Sequence, residues 1–318
     1  MEKFRWGYIG NGGIAYSTAR NITSGNHAVT AVYGRNKEKA QVFAKRFNAK
    51  YFSSADEMLE SGIIDGVYIA TPHTTHVDYA VQCLAAGIPV LCEKPVGVSC
   101  VDVDRLINAA ETNKTYFTEA MWTWFSPVAH KVREWVKDGH IGEVQSIKMD
   151  YAFPGILKSK TSRVRMPETA GGALLDIGIY PITYCYNLLG YPDTIICEGE
   201  IEDGIDVAEK ILLYYGGTRC EINLSLKKAV EKCSIVGREG KIKLPLFHMA
   251  SRATLVKGWK REIFKGKTDY LTEFTEAANE IKNGKTQSDF IPFSATRDCM
   301  KIMDECRRQM GLVYPFEE

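Results

Sequence analysis

Residues 4–15 read Phe4-Arg5-Trp6-Gly7-Tyr8-Ile9-Gly10-Asn11-Gly12-Gly13-Ile14-Ala15, and the reading of this stretch decides the fold. Phe4–Ile9 has the character of a strand. Gly10-Asn11-Gly12-Gly13-Ile14-Ala15 follows as GxGxxA, one form of the fingerprint that cradles a dinucleotide. In that pattern Gly10 permits the tight turn, Gly12 lets the backbone approach a pyrophosphate, and Ala15 is small enough for helix to pack on strand. The helix that opens there offers free N–H groups and a partial positive charge to phosphate oxygens. Glycines in a turn are by themselves only a turn. Their place between a strand and a helix, with a second strand at His27–Tyr33, is what points to cofactor binding.

Outward from this stretch the same alternation continues. Residues 13–24 read as a helix, and Lys37–Phe47 carries Ala40, Phe43, Ala44 and Phe47 on one helical face. Residues 66–70 form a short buried strand, 76–86 a helix closed by Gly87, and 88–92 the next strand. A helix over 99–113 has Ser99 as N-cap and Asp102 as the acid of a capping box, and 115–119 is a sixth strand. Successive βαβ units of this kind build a doubly wound parallel sheet. Past residue 120 the texture changes. A helix over 128–138 stops at Gly139, and long alternating runs at 143–152, 195–200, 208–215 and 219–226 read as half-buried antiparallel strands. Helical stretches at 172–189, 271–282 and 295–310 are embedded among them. The expectation is an α/β chain. Residues 1–120 form a Rossmann domain that binds NAD(P), and 121–318 an α+β domain for substrate binding and oligomerisation, with the last helix free to pack back on the first domain.

Composition narrows the partners. At roughly 100–200 residues per domain, 318 residues hold two. Lys and Arg number 40 against 39 Asp and Glu, so no broad positive surface for nucleic acid or an anionic membrane follows. Apolar runs fall far short of the roughly 20 residues that span a bilayer, and MEKFRWGYIG has no signal-peptide character. The 9 cysteines are scattered without a CxxC pair, which suggests neither a disulfide framework nor a zinc ribbon. A cytoplasmic protein with reduced thiols is expected.

The second strand ends Val32-Tyr33-Gly34-Arg35-Asn36, with no acid where an NAD enzyme holds the ribose 2′-hydroxyl. Gly34 leaves room there, Arg35 can pair with a 2′-phosphate and stack on adenine, and Lys39 adds a second charge. NADP is therefore favoured over NAD. Cys92-Glu93-Lys94-Pro95 lies at the C-terminal end of a parallel strand, where open α/β sheets place ligands. Lys94 can hold a hydroxyl and stabilise negative charge on its oxygen. Further on, Asp176 and Tyr180 stand at i and i+4 and share a helical face. A phenol ionises near ~10, and a nearby lysine cation lowers that value, so Tyr180 can serve as general base in oxidation and general acid in reduction. His73 and His76 have a metal-like spacing, but no acid or cysteine in their stretch completes a ligand set. No metal is expected, and the other four histidines form no constellation.

Taken together, these stretches resemble the glucose–fructose oxidoreductase/inositol dehydrogenase (Gfo/Idh/MocA) family over essentially the whole chain. The matching pieces are GNGGIA, AVYGRN, YIATPHTTHVDYA, GIPVLCEKP, EAMWTWFSP, GGALLDIGIYP and the terminal YPFE. The resemblance implies a second domain with a large, mainly antiparallel open sheet used for dimerisation, and NAD(P)-dependent hydride transfer at a sugar or polyol carbon. Lys94 matches the family's EKP lysine and Asp176 its GGxLxDxG aspartate. Thr71, Pro72, His73 and His76 fall beside the nucleotide, joined by Glu93 and Trp122. Tyr180 stands where many members have His, which resembles the dimeric dihydrodiol dehydrogenase/NADP-dependent xylose dehydrogenase branch. That branch commonly reads WTRF where this chain has Trp122-Thr123-Trp124-Phe125, so a charge is missing near the substrate. Arg163 and Arg165 are candidates to replace it. The implied activity is NADP-dependent hydride transfer at an aldose C1 or a vicinal diol, in a homodimer or homotetramer. The alternatives are an NAD-dependent inositol-type dehydrogenase, a non-catalytic NADP-sensing regulator, and an enzyme that retains its cofactor for sugar-to-sugar exchange.

Overall fold

The computed structural model describes residues 2–317. The chain forms two compact units, residues 1–122 with 269–296, and residues 123–268 with 297–318.

In the first unit six parallel strands run in the order β3-β2-β1-β4-β5-β6. They are β1 (Phe4–Ile9), β2 (His27–Tyr33), β3 (Lys50–Tyr51), β4 (Gly66–Ile69), β5 (Val90–Glu93) and β6 (Phe117–Ala120). Helices α1 (Gly13–Ile22), α2 (Lys37–Phe47), α3 (Ala55–Leu59), α4 (His76–Ala85) and α5 (Cys100–Asn113) connect them. Strands β4, β5 and β6 are buried at every position, as a sheet covered on both faces requires. Ser99 does cap α5, accepting the Asp102 N–H at 3.4 Å. The Asp102 carboxylate, however, accepts from the Val98 N–H (2.9 Å), one residue before the position a capping box would use.

The 269–296 segment differs from the sequence expectation, which grouped all residues after 120. Helix α8 (Tyr270–Lys282) belongs to the first unit because its apolar face needs the first unit's aromatic core. Phe274 meets Trp6 edge-on at 5.0 Å and Tyr68 at 4.9 Å, with Ala277 and Ala278 in the same cluster. The last helix, α9 (Phe293–Met310), gives only residues 293–296 to this unit.

The second unit holds eight strands in the order β14-β13-β12-β11-β7-β10-β9-β8, antiparallel except for the β7–β10 pair. Its elements are α6 (Pro127–Lys137), β7 (Val144–Ala152), α7 (Ile179–Leu189), β8 (Thr194–Glu202), β9 (Ile205–Tyr215), β10 (Thr218–Ser225), β11 (Val230–Gly237), β12 (Lys241–Pro245), β13 (Arg252–Lys257) and β14 (Lys260–Lys265). Strands β11 to β14 escaped the sequence reading. β12, β13 and β14 are only five or six residues long, and β11 has the charged pair Glu231-Lys232 near its start and only three buried positions, so the apolar positions are too few to dominate a window. Strand β14, with Lys260, Arg261 and Lys265, is one of the two edge strands, where charge discourages further pairing.

Candidate active site

The glycine turn follows β1. Gly10 has φ +106°, and a Cβ there would stand 2.4 Å from the Ala70 carbonyl oxygen, so no other residue fits. Gly12 and Gly13 are the opposite case: a Cβ at either would meet nothing within 4 Å. Their bare backbone faces open space at the start of α1. Asn11 lies against Gly34, with its Oδ1 2.8 Å from where a Gly34 Cβ would be, and its Nδ2 is buried without a partner. A buried donor of that kind is costly unless a ligand supplies the acceptor. These features, the bare glycine turn at the start of α1 and the unpaired Asn11 amide, fit a dinucleotide. Arg35 and Lys39 are exposed at the end of β2 and in the first turn of α2. Asn36 serves the helix itself, its Oδ1 accepting the Lys39 N–H at 2.9 Å.

The ends of β4 and β5 are tied together by His76. Its ring nitrogens lie 2.8 Å from the carbonyl oxygens of Thr71 and Pro95, so one buried imidazole joins the Thr71-Pro72 turn to the Lys94-Pro95 turn. The Lys94–Pro95 bond is cis. His73 is buried beside His76, ring to ring at 5.8 Å. Glu93 accepts a hydrogen bond from the Tyr68 hydroxyl and another from the Lys94 N–H (3.2 Å). Trp122 packs on Tyr270 at 4.7 Å. Glu119, on β6 beside Cys92, was not singled out from the sequence. Burial pushes its carboxyl up to about 7, against the pull of Thr296, the Val96 backbone and Lys94. Only its place within EAMWTWFSP could have drawn attention to it.

In the second unit Asp176 lies in a π-helical turn, Leu174–Gly178, and Tyr180 in the first turn of α7. The i, i+4 pair therefore straddles a π-to-α junction and not one regular helix; such π turns are frequent at functional sites. Arg163 donates to the Asp176 carboxylate at 2.6 Å, which brings together two residues assigned separately from the sequence. Arg165 is committed elsewhere, donating to the Ile156 carbonyl at 2.7 Å. Trp124, at the branch's arginine position, stacks on Tyr186, and its carbonyl accepts from the Arg133 guanidinium (3.3 Å).

The turn before Asp176 is held from β9. Gly172 has φ +126°, and a Cβ there would fall 2.0 Å from Asp206 Oδ1. Asp206 is fully buried, and its Oδ2 accepts the Leu174 N–H at 2.6 Å. Burial first, and then the neighbouring Asp206, raise the Glu209 carboxyl well above the ordinary range. The terminal YPFE motif closes the same place: the Tyr314 hydroxyl reaches the Gly171 carbonyl at 3.5 Å, and Arg307 sits over the Tyr314 ring.

Tyr180 has a histidine for a neighbour, contrary to the expectation that the remaining histidines form no constellation. The His248 ring is 5.5 Å from the Tyr180 ring and stacks on Tyr151 at 4.9 Å. Glu231 holds His248: its Oε1 accepts the His248 backbone N–H at 2.8 Å and lies 2.8 Å from the ring Nδ1. Four residues spread between 151 and 248 meet here, and no local pattern announces them.

A parallel Rossmann sheet with a glycine turn, followed by a unit with a mainly antiparallel sheet and an Asp–Tyr pair on a π turn and α7, defines a nicotinamide-dependent oxidoreductase. Residues 4–120 match the oxidoreductase family with an NAD-binding Rossmann fold, and residues 129–243 match the GFO/IDH/MocA C-terminal domain. The chain belongs to the GFO/IDH/MocA family. It is similar to trans-1,2-dihydrobenzene-1,2-diol dehydrogenase of Mus musculus, 29% identical over 98% of each chain. It is also similar to the NADP(+) scyllo-inositol 2-dehydrogenase of Bacillus subtilis, 31% identical over 91% of this chain and 92% of that one. A 3-ketoreductase from Actinomadura kijaniata, solved with NADP and TDP-benzene, shares the fold with TM-score 0.88 and 22% identity, covering 97% of this chain and 98% of that one.

Proposed function

We propose that the chain interconverts a secondary alcohol and a ketone, or a sugar C1 and its lactone, with NADP(H), on a vicinal diol or sugar. The observation that carries this reading is the Arg163–Asp176 pair one turn before a buried Tyr180, in a chain of this family. When bound, the nicotinamide supplies or accepts the hydride. Tyr180 moves the proton at the reacting oxygen, as acid in reduction and base in oxidation. Asp176, oriented by Arg163, accepts a hydrogen bond from the adjacent hydroxyl, which selects substrates bearing two neighbouring oxygens. Lys94 holds a hydroxyl at the end of β5. Arg35, with no acid at the end of β2, favours the 2′-phosphate. The long alternating strands of the open sheet leave one face needing cover, which supports a homodimer through the second unit that light scattering would report.

The test is a spectrophotometric screen of pentoses, hexoses, inositols and diols with both cofactors, repeated with Tyr180→Phe. Turnover on the active substrate should fall about 100- to 10,000-fold while NADP still binds. A parental rate in Tyr180→Phe would falsify the assignment.

A further inference from the structure

We infer that His248, held by Glu231, carries the proton between Tyr180 and solvent. The inference rests on Tyr180 being the proton donor. A tyrosine that gives up its proton once per turnover must be reprotonated, and Tyr180 is itself buried. His248 stands against it in a turn that reaches the surface: its side chain is 19% exposed, and the flanking Leu246 and Met249 are about half exposed. The turn is anchored from within by Phe247, packed on Tyr151 at 5.5 Å and Tyr184 at 6.1 Å. The ring is thus partly exposed while it packs against Tyr151 and Tyr180.

Three elements surround it, and each has a part. From β11, Glu231 is 7% exposed; its carboxylate holds the turn by accepting the His248 backbone N–H and lies 2.8 Å from Nδ1. From β7, Tyr151 fixes the ring plane by stacking. From α7, Tyr180 is the partner. Imidazole is the side chain suited to passing a proton near neutrality, since it is both acid and base there. In reduction, hydride adds to the carbonyl carbon as the C–O π bond opens, and the oxygen takes the Tyr180 proton. The phenolate takes a proton from the His248 imidazolium, and the imidazole takes one from a solvent or buffer acid. Oxidation runs the same transfers backwards.

The experiment measures turnover of the full-length His248→Phe protein, which keeps an aromatic ring on Tyr151, as a function of buffer concentration. Turnover in dilute buffer should fall by about 100-fold, the lower end of what a lost proton-transfer group costs. It should climb towards the parental value as free imidazole is added, a response that a packing defect does not give. NADPH binding by fluorescence titration and the melting temperature should stay parental. Should His248→Phe fail to fold, His248→Gln takes its place. Glu231→Gln should show a smaller loss with the same response to imidazole. Parental turnover in dilute buffer, or a loss that imidazole does not lift, overturns the relay. Tyr180→Phe in the same assay separates the two readings. If Tyr180→Phe is inactive while His248→Phe is unaffected, the relay alone falls; if Tyr180→Phe is active, both fall.

Discussion

Two glycine-bearing segments, 10–15 and 171–178, use the same residue for different ends. At Gly12 and Gly13 the space beside the backbone is empty, so the glycines keep room for something outside the chain. At Gly172 the space is already taken, by the carboxylate of Asp206. Gly178 is similar, with Leu224 2.6 Å from where a Cβ would stand. The first segment is shaped for a ligand, and the second is shaped by its own sheet so that the next turn can present Asp176 and Tyr180. A glycine in a motif therefore marks a close approach, and the structure has to say by what.

The largest effect should come at Gly172. Gly172→Ala combines a left-handed backbone with a Cβ driven into a buried carboxylate, and should destabilise the protein by about 4 kcal/mol or more. Asp206→Ala should also destabilise, by about 1–3 kcal/mol, because the Leu174 N–H loses its acceptor. The double variant should cost clearly less than the sum, since removing Asp206 also removes the clash. Denaturant melts of the three variants measure this coupling. Additive costs would mean that Asp206 is not what excludes a side chain at residue 172.

This contrast also explains what the sequence let one read. The first segment was legible because its parts are contiguous: strand, turn and helix lie within residues 4–22, and the ligand-facing glycines are local consequences of that geometry. The Asp176–Tyr180 spacing was legible for the same reason. What holds those residues was not, because Asp206 comes from β9, Tyr314 from the end of the chain, and Glu231 and His248 from strand and turn far along the sheet. Asp206 and Glu209 in particular look like polar positions of an exposed strand, and both are buried. Helix α8 was visible as a helix, but its destination depends on Phe274 meeting Trp6 and Tyr68, which periodicity does not encode.

Substitutions in the first segment should spare stability and strike binding. With open space beside it, Gly12→Ala should change stability by less than about 0.5 kcal/mol. NADP affinity should nevertheless fall by about 100-fold, or roughly 2.7 kcal/mol, because the methyl group keeps the pyrophosphate off the backbone N–H groups. Arg35→Ala should act more narrowly, losing about 2 kcal/mol of NADP binding and much less of NAD binding, which loses only the adenine stacking. Calorimetric titration with both cofactors reads both variants. Equal loss of NAD and NADP on removing Arg35 would show that it does not read the 2′-phosphate.

The smallest effect distinguishes the two units by the sign of a pH slope. In the first, Trp6 Nε1–H donates to His27 Nδ1 at 3.2 Å, so the other ring nitrogen carries the proton and faces Thr275 Oγ1 at 3.2 Å. This neutral ring links β1, β2 and α8. Burial first, then Lys282 and Lys3, push its pKa down to about 4 from an ordinary value of 6.5. The unfolded chain therefore binds the proton more readily. The stabilisation is complete above pH ~6.5 and is lost as pH falls from there towards 4, by about 1–2 kcal/mol after allowing for solvent screening. In the second unit the raised Glu209 carboxyl works the other way: its contribution is present at low pH and is lost as pH rises past the ordinary carboxylate range. Melts across this range for His27→Gln and Glu209→Gln, each subtracted from the parent, should give slopes of opposite sign. A flat difference for His27→Gln would mean that the histidine is already protonated in the folded chain, and that the Trp6 contact is not the hydrogen bond its geometry indicates.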